Sequence, residues 1–349
     1  MNRLRPSLPD IALWAFLASA LVGAWMAYDP GPAWVKFWLV VLGVALYSGL
    51  ARFPETVRIG KQPVSLLAWI LGILPALITI YFFLTNDWAA RVGKVAWLDP
   101  ILRWFAAEQS GLTSMGVNSN VMGGALAMLL PMQVAALDHN RRGNRVNIAL
   151  IAVSLIGLAL SESRGAWLAV CLVALAWGLW RFLLDQAQRR GALPRTAHSA
   201  WAIIVVILLL IVALMLILTP LGERLLHLRS DRLQVWRNSF ALATQYTFTG
   251  LGLAGFDMAY SSYVLLIHVS HTFHAHNLYL DIWLNQGLVG LLAFGGWLIA
   301  SVWTGASTSR WRVAALASLG VMLLHGLVDD AFYGYGGRGV VLMFVPLAM

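Results

Sequence analysis

His274-Ala275-His276-Asn277-Leu278-Tyr279-Leu280-Asp281-Ile282-Trp283-Leu284-Asn285-Gln286-Gly287-Leu288-Val289-Gly290 opens as a polar loop with two histidines and runs directly into apolar sequence that continues to about Trp303. The apolar part reads as a membrane helix. At about 100° per residue, His276, Tyr279, Leu280, Trp283, Gly287 and Gly290 share one face. That face carries a titratable group at its head, aromatic rings below it, and two glycines where another helix can pack closely. A polar set at the mouth of a membrane helix is a site hypothesis by default.

The rest of the chain fits such a setting. Its 349 residues are 60% hydrophobic and 11% charged, with a mean hydropathy of +0.75. These values exclude an ordinary soluble domain and belong to a multi-pass membrane protein. The formal charge of +9 would suggest nucleic acid in a soluble domain. Here the basic residues sit in short clusters between apolar runs, which orientation in a bilayer explains without nucleic acid. The single Cys171 allows no intramolecular disulfide. The basic N-terminus followed by an apolar run reads as an uncleaved first span.

Apolar runs fall at about 11–28, 34–51, 64–84, 117–137, 146–160, 166–183, 200–219, 277–303 and 313–328, with a last one from 339 onward. About ten spans of roughly 20 residues are expected. The last run is too short to cross a core of roughly 30 Å, which leaves a truncated chain, the favoured reading, or a half-helix. Arg3 and Arg5, Arg52 to Lys61, Arg141 to Arg145, Arg181 to Arg195, and Arg310 with Arg312 occupy every second connection. The excess of basic residues on cytoplasmic loops then puts these clusters and the N-terminus inside. The opposite side receives 85–116, Ser161–Gly165, the long segment 220–276, and Asp329–Arg338. No charged residue sits at the middle of an apolar run.

Within 85–116, Val95, Leu98, Leu102 and Phe105 recur at helical spacing. Within 220–276, Asp231 reads as an N-cap with Gln234 three residues on, and Leu233, Trp236, Phe240 and Ala243 line one face. Gly250-Leu251-Gly252-Leu253-Ala254-Gly255 spells a dinucleotide-binding pattern, but it follows a helix and no βαβ unit exists to hold it. It reads as a flexible turn.

Several polar residues carry chemistry by type. His276 stands at a helix N-terminus, which disfavours imidazolium. A neutral imidazole there suits a general base, and capping the helix is the equal alternative. His268, His271, His274 and His276 include the commonest zinc ligand, but their spacing matches no regular zinc pattern, so no metal is expected. Arg164 in the short external turn offers a guanidinium for bidentate phosphate contact, or it snorkels or pairs with Glu162. Arg232 and Arg237 could complete a clamp on an anion. Asp329-Asp330, with Tyr333 and Tyr335, either closes the site or ends a helix.

Ser163-Arg164-Gly165, then Arg232 to Trp236 as Arg-x-x-x-Trp, then His276-Asn277 followed by Gly287 and Gly290 as Gly-x-x-Gly, stand in an order that resembles the O-antigen ligase and O-antigen polymerase superfamily. Asn118-Ser119-Asn120 is similar to that family's earlier segment, and the resemblance spans about 110–340 within a single integral membrane domain, 1–349. It implies an all-α polytopic fold of the GT-C type with a long, partly helical external loop at 220–276. It also implies an inverting, metal-independent glycosyltransferase without cofactor in the bacterial inner membrane. Such an enzyme moves a glycan from undecaprenyl diphosphate at the periplasmic face to an acceptor. The acceptor is lipid A–core in ligases, another lipid-linked repeat in polymerases, or a protein serine in pilin-type transferases. Carried over, His276 activates the acceptor hydroxyl and Arg164 and Arg232 bind the diphosphate. Arg237, Asn277, Tyr279, His274 and Asp329 are supporting candidates. The ligase stands ahead of the polymerase, and a non-enzymatic lipid or glycan transporter is the rival from another class.

Overall fold

The computed structural model describes residues 8–50, 57–59, 62–64, 66–88, 98–108, 118–137, 141–189, 230–263, 272–304, 310–334 and 339–346. Numbered over these, the helices are α1 (Leu8–Trp25), α2 (Pro30–Leu50), α3 (Leu66–Thr85), α4 (Asp99–Glu108), α5 (Ser119–Ala135), α6 (Arg141–Leu160), α7 (Arg164–Arg189), α8 (Ser230–Gln245), α9 (Phe256–Tyr263), α10 (Leu278–Thr304), α11 (Arg310–His325) and α12 (Val340–Met343). One antiparallel hairpin, β1 (Val57–Ile59) with β2 (Gln62–Val64), interrupts them.

The chain is a membrane-type helical protein. Among the described residues, four helices are long and apolar enough to cross a bilayer, spanning Leu8–Trp25, Pro30–Gly49, Arg164–Phe182 and Leu278–Trp303. Four more, Ile70–Thr85, Ser119–Ala135, Arg145–Leu160 and Trp311–His325, are apolar but shorter. These eight coincide with eight of the apolar runs. The run 200–219 lies outside the described residues. At the last run, α12 and the turn after it bury Val340, Met343 and Phe344, and Phe344 stacks on Trp297 and closes over Gly43 of α2.

Helices in a bilayer associate by close packing, because lipid is as apolar as their side chains. Accordingly, α1 meets α10 through Ser19, Ala20, Gly23 and Ala24, all buried. A Cβ at Gly23 would lie 2.6 Å from the Asn285 carbonyl. Elsewhere α5 packs on α11, α3 on α6, and α7 on α11. Of the segment 85–116 read as helical, the described part contains α4, with Leu98 and Leu102 buried and Phe105 against Trp88 and Phe83. Val95 lies outside the described residues.

Two local readings change. The face expected on α8 is turned: Val235, Ser239, Leu242 and Ala243 are buried while Phe240 is exposed, because Phe256, Tyr260 and Leu284 meet the helix from that side. The glycine-rich turn 250–255 is not a loose connection. Its Leu251 N–H donates to the Leu284 carbonyl at 2.6 Å and its Leu253 N–H to the Gly23 carbonyl at 2.8 Å, pinning it between α10 and α1. Gly252, at φ +86°, lies so close to Ala27 that a side chain would collide with it.

The shared face read along α10 is also interrupted. Gly287 has φ +70° and ψ −179°, which breaks the helix. The Leu288 N–H leaves the helical ladder and donates to the Thr247 carbonyl at 2.7 Å. A Cβ on Gly287 would run into the Phe248 carbonyl. Only Gly290 serves helix packing, facing Ser19 of α1.

Candidate active site at one end of the helix bundle

The start of α10 is set by Asn277, whose side-chain oxygen accepts the N–H groups of Tyr279 and Leu280 at 3.1 and 3.0 Å. That is an N-cap, so the helix is capped by the asparagine and His276 is released from that role. The Asn277 amide also donates to the Leu327 carbonyl at 3.0 Å, and the Leu278 N–H donates to the Gly326 carbonyl at 2.8 Å. Two contacts therefore join the head of α10 to the chain leaving α11. His276 itself sits at φ +50°, in the left-handed region that non-glycine residues rarely adopt. Its carbonyl accepts Trp236 Nε1–H at 3.2 Å.

That junction brings His276 onto Asp329. Nδ1 of His276 lies 3.0 Å from Asp329 Oδ1. Oδ2 of Asp329 accepts from the Asn120 amide at 2.5 Å and from the Arg232 guanidinium at 3.4 Å. Arg232 also donates to the Val328 carbonyl at 2.8 Å. Oδ1 additionally accepts the Asp330 N–H at 2.9 Å. The Asp329 side chain is 4% exposed, whereas those of His276 and Arg232 are 25% and 31% exposed. The carboxylate is thus enclosed, and its two partners reach the open side.

Burial alone would push the Asp329 carboxyl up, but His276, Arg232 and His274 outweigh it and hold the group well below the usual carboxylate range. His274 is buried edge-on to the His276 ring, with centroids 4.1 Å apart. Burial first, and then His276, lower its imidazole to about 4. It is a neutral neighbour at neutral pH.

Arg164 begins α7, and the turn before it is seated behind Asp329. Ser163 Oγ lies 3.5 Å from His325 Nε2, and a Cβ on Gly165 would sit 2.7 Å from Val328 Cγ2. The Ser-Arg-Gly turn and Arg232 thus both meet the Val328 stretch. Tyr279 turns inward, its hydroxyl donating to the Leu323 carbonyl at 3.0 Å. Arg237 is exposed, about 140° around α8 from Arg232 at five residues' distance, and the structure gives it no contact with the group.

His274, His276 and Asp329 bring three ligand-type atoms within 4.8 Å. The carboxylate already takes four hydrogen-bond donors, one of them a guanidinium, and a cation there would compete with that charge. The donor set therefore suits an imidazole–carboxylate pair better than a metal. His268 and His271 lie outside the described residues, as does Tyr335.

Asn120 and Asp330 were legible only as parts of suggestive strings, and Lys36 not at all. The Asp330 carboxyl accepts the N–H groups of Phe332 and Tyr333 at 2.9 and 2.7 Å, shaping the turn after Asp329. Burial, then the charge of Asp281, push it up to about 7. Lys36 is 1% exposed inside α2, about 9 Å along the helix from Pro30 at 1.5 Å per residue. Charged groups do enter the apolar helices, near this end of the bundle.

A comparison with curated proteins gives no match. The family model described as O-antigen ligase matches residues 149–295, from within α6 through the kink of α10. The matched stretch contains Arg164, Arg232 and His276 and stops short of Asp329, which the fold returns to it. On this match and these motifs, the chain resembles the O-antigen ligase and O-antigen polymerase superfamily of membrane proteins.

Proposed function

We propose that this protein is a glycosyltransferase that moves a glycan from undecaprenyl diphosphate to an acceptor hydroxyl at the periplasmic face of the bacterial inner membrane. About ten spans, the cytoplasmic N-terminus and the external placement of 220–276 belong to the same proposal. The observation that carries it is the His276–Asp329 pair at 3.0 Å with Arg232 on the far carboxylate oxygen.

In that pair the carboxylate accepts Nδ1–H, which leaves Nε2 as the basic nitrogen. Nε2 takes the acceptor's hydroxyl proton as the acceptor oxygen bonds to the sugar anomeric carbon. The bond from that carbon to the diphosphate oxygen breaks in the same displacement, giving inversion. The leaving diphosphate gains charge, which Arg232 and Arg164 neutralise without a metal. The half-exposed guanidinium of Arg232 has N–H groups beyond the two bound to Val328 and Asp329. The polyprenyl tail stays in the bilayer while its head reaches this end of the bundle. Ligase is the preferred reading, in keeping with the description of the matching family.

The test is transfer by purified protein from undecaprenyl-diphosphate-linked glycan, with and without chelator, offered lipid A–core in one arm and donor alone in another. Chelator-insensitive transfer that vanishes in His276→Ala is expected. The productive arm separates ligase from polymerase. A His276→Ala protein that inserts normally and transfers at the wild-type rate would overturn the base. A donor that binds but never turns over would turn the reading toward a transporter.

A further inference from the structure

Beneath the His276–Asp329 pair lies a second charged group that the proposed chemistry does not use. Lys36 Nζ donates to Asn285 Oδ1 at 2.9 Å and to the carbonyls of Tyr333 and Gly334 at 2.6 and 3.4 Å, and it lies 4.2 Å from the Tyr333 ring centroid. Asp281 Oδ1 accepts the Ala275 N–H at 2.9 Å. Asp330 Oδ1 accepts two N–H groups of the turn that ends at Tyr333. The second oxygens, Asp281 Oδ2 and Asp330 Oδ2, are buried and have no hydrogen-bond partner.

Lys36, Asp281 and Asp330 are each 1% exposed, and two ionised carboxylates with one ammonium would leave an uncompensated charge in the interior, so one carboxyl holds a proton and the two acids together carry a single negative charge. Lys36 supplies the matching positive charge, and the buried cluster is neutral as a whole. Its attachments are what give it a use. Ala275 immediately precedes His276, and Asp330 immediately follows Asp329. Asn285 ties the same lysine to the Ala254 N–H at 2.8 Å and to the Asp281 carbonyl at 2.6 Å, and hence to the glycine-rich turn.

We infer that Lys36, Asp281 and Asp330 form a buried, charge-balanced clamp that positions the His276–Asp329 pair by holding the two backbone segments that carry it. His276 is held in a left-handed conformation that it would leave if its flanking amide were released. The clamp rests on the transferase reading for its purpose but not for its existence. It also assigns a task to α2, which lies outside the matched residues 149–295. These three are positioning residues, since none faces the open side of the site.

The experiment uses the full chain in lipid nanodiscs. Lys36→Met keeps the stem and removes the charge, leaving the carboxyl pair unbalanced. In Lys36→Met/Asp281→Asn the remaining carboxyl takes up a proton alone and neutrality returns. The substrate-free readout is hydrogen exchange of the backbone amides at 274–277 and 330–334. The second readout is transfer, as kcat and donor KM.

In Lys36→Met, exchange should rise at those two segments and not across the bundle. kcat should fall about 10–100-fold with donor KM little changed, because misplacing a base costs turnover more than binding. The double variant should recover both readouts. If Lys36→Met fails to insert and the double variant inserts, the charge balance is supported directly. Exchange that rises uniformly, exchange that stays at wild type, or a double variant no better than the single would overturn the clamp. Wild-type protein that transfers nothing would sink the transferase reading, and the exchange data would still decide the clamp.

Discussion

Replacing Asp329 by asparagine is the sharpest test of the site, because the geometry leaves the amide no comfortable orientation. One carboxylate oxygen faces His276 Nδ1 and the Asp330 N–H; the other faces Arg232 and Asn120. All four are donors. Whichever way the new amide turns, its NH2 faces two of them. The stronger demand comes from the guanidinium and the 2.5 Å contact with Asn120, so the amide oxygen turns to that side. His276 then meets an N–H donor and must offer Nδ1 as acceptor, which places its proton on Nε2. The base is blocked by its own tautomer, and kcat should fall about 10³–10⁴-fold, the usual penalty for losing a tautomer-setting carboxylate. That is about 4–5.5 kcal/mol in the barrier. Donor binding should change far less, since Arg232 keeps both an oxygen acceptor and its charge. The assay is single-turnover transfer from undecaprenyl-diphosphate-linked glycan, with donor binding measured separately on the same preparation. Asp329→Asn protein with wild-type thermal stability and a kcat within about threefold of wild type would refute the reasoning.

Three further outcomes follow from the same contacts. Arg164→Gln and Arg232→Gln should each weaken donor binding about tenfold or more, the scale of one charge-assisted phosphate contact, while Arg237→Gln should not, as titration of labelled donor would show. Gly287→Ala forces a side chain into the Phe248 carbonyl at a φ of +70°, so it should cost about 3 kcal/mol or more and depress the melting temperature in detergent even though alanine favours helices. The Asp330 carboxyl, pushed up to about 7 by burial and by Asp281, binds its proton more tightly in the fold than in the unfolded chain. The stability this gives is complete below about pH 4 and is lost as the pH rises through about 7. Asp330→Asn removes that loss, so its melting temperature relative to wild type should climb between pH 5 and pH 8, and a flat difference would contradict the assignment.

The eight helices that coincide with apolar runs were legible because each run is long and a bilayer demands internally satisfied backbone. The order Arg164, Arg232, His276 was legible for a different reason. Each stands at a connection, where a charged residue among apolar neighbours is conspicuous. The orientation of α8 was misread by one position, since a helix with polar residues on several faces shows its buried stripe only once α9 and α10 are in place. The glycine-rich turn and Gly287 were misread for the same cause. A glycine that ends a helix and a glycine that lets two helices touch look alike until the partner carbonyl, here that of Phe248, is in place.

By itself the sequence determined that this chain lives in a membrane, where most of its helices run, and which imidazole and guanidinium groups stand free of apolar surroundings. Those properties are local, set by stretches of about 20 residues. Tertiary structure decided which of them meet. Asp329 is 53 residues from His276, Asn120 lies 209 from Asp329, and Lys36 stands 249 from Asn285. Pairing across such separations is fixed by how α1, α2, α5, α10 and α11 pack, through small residues and capped ends whose fit no periodicity encodes. A carboxylate enclosed by four donors is a property of that packing, and the lysine beneath it carries no mark in the chain that would set it apart.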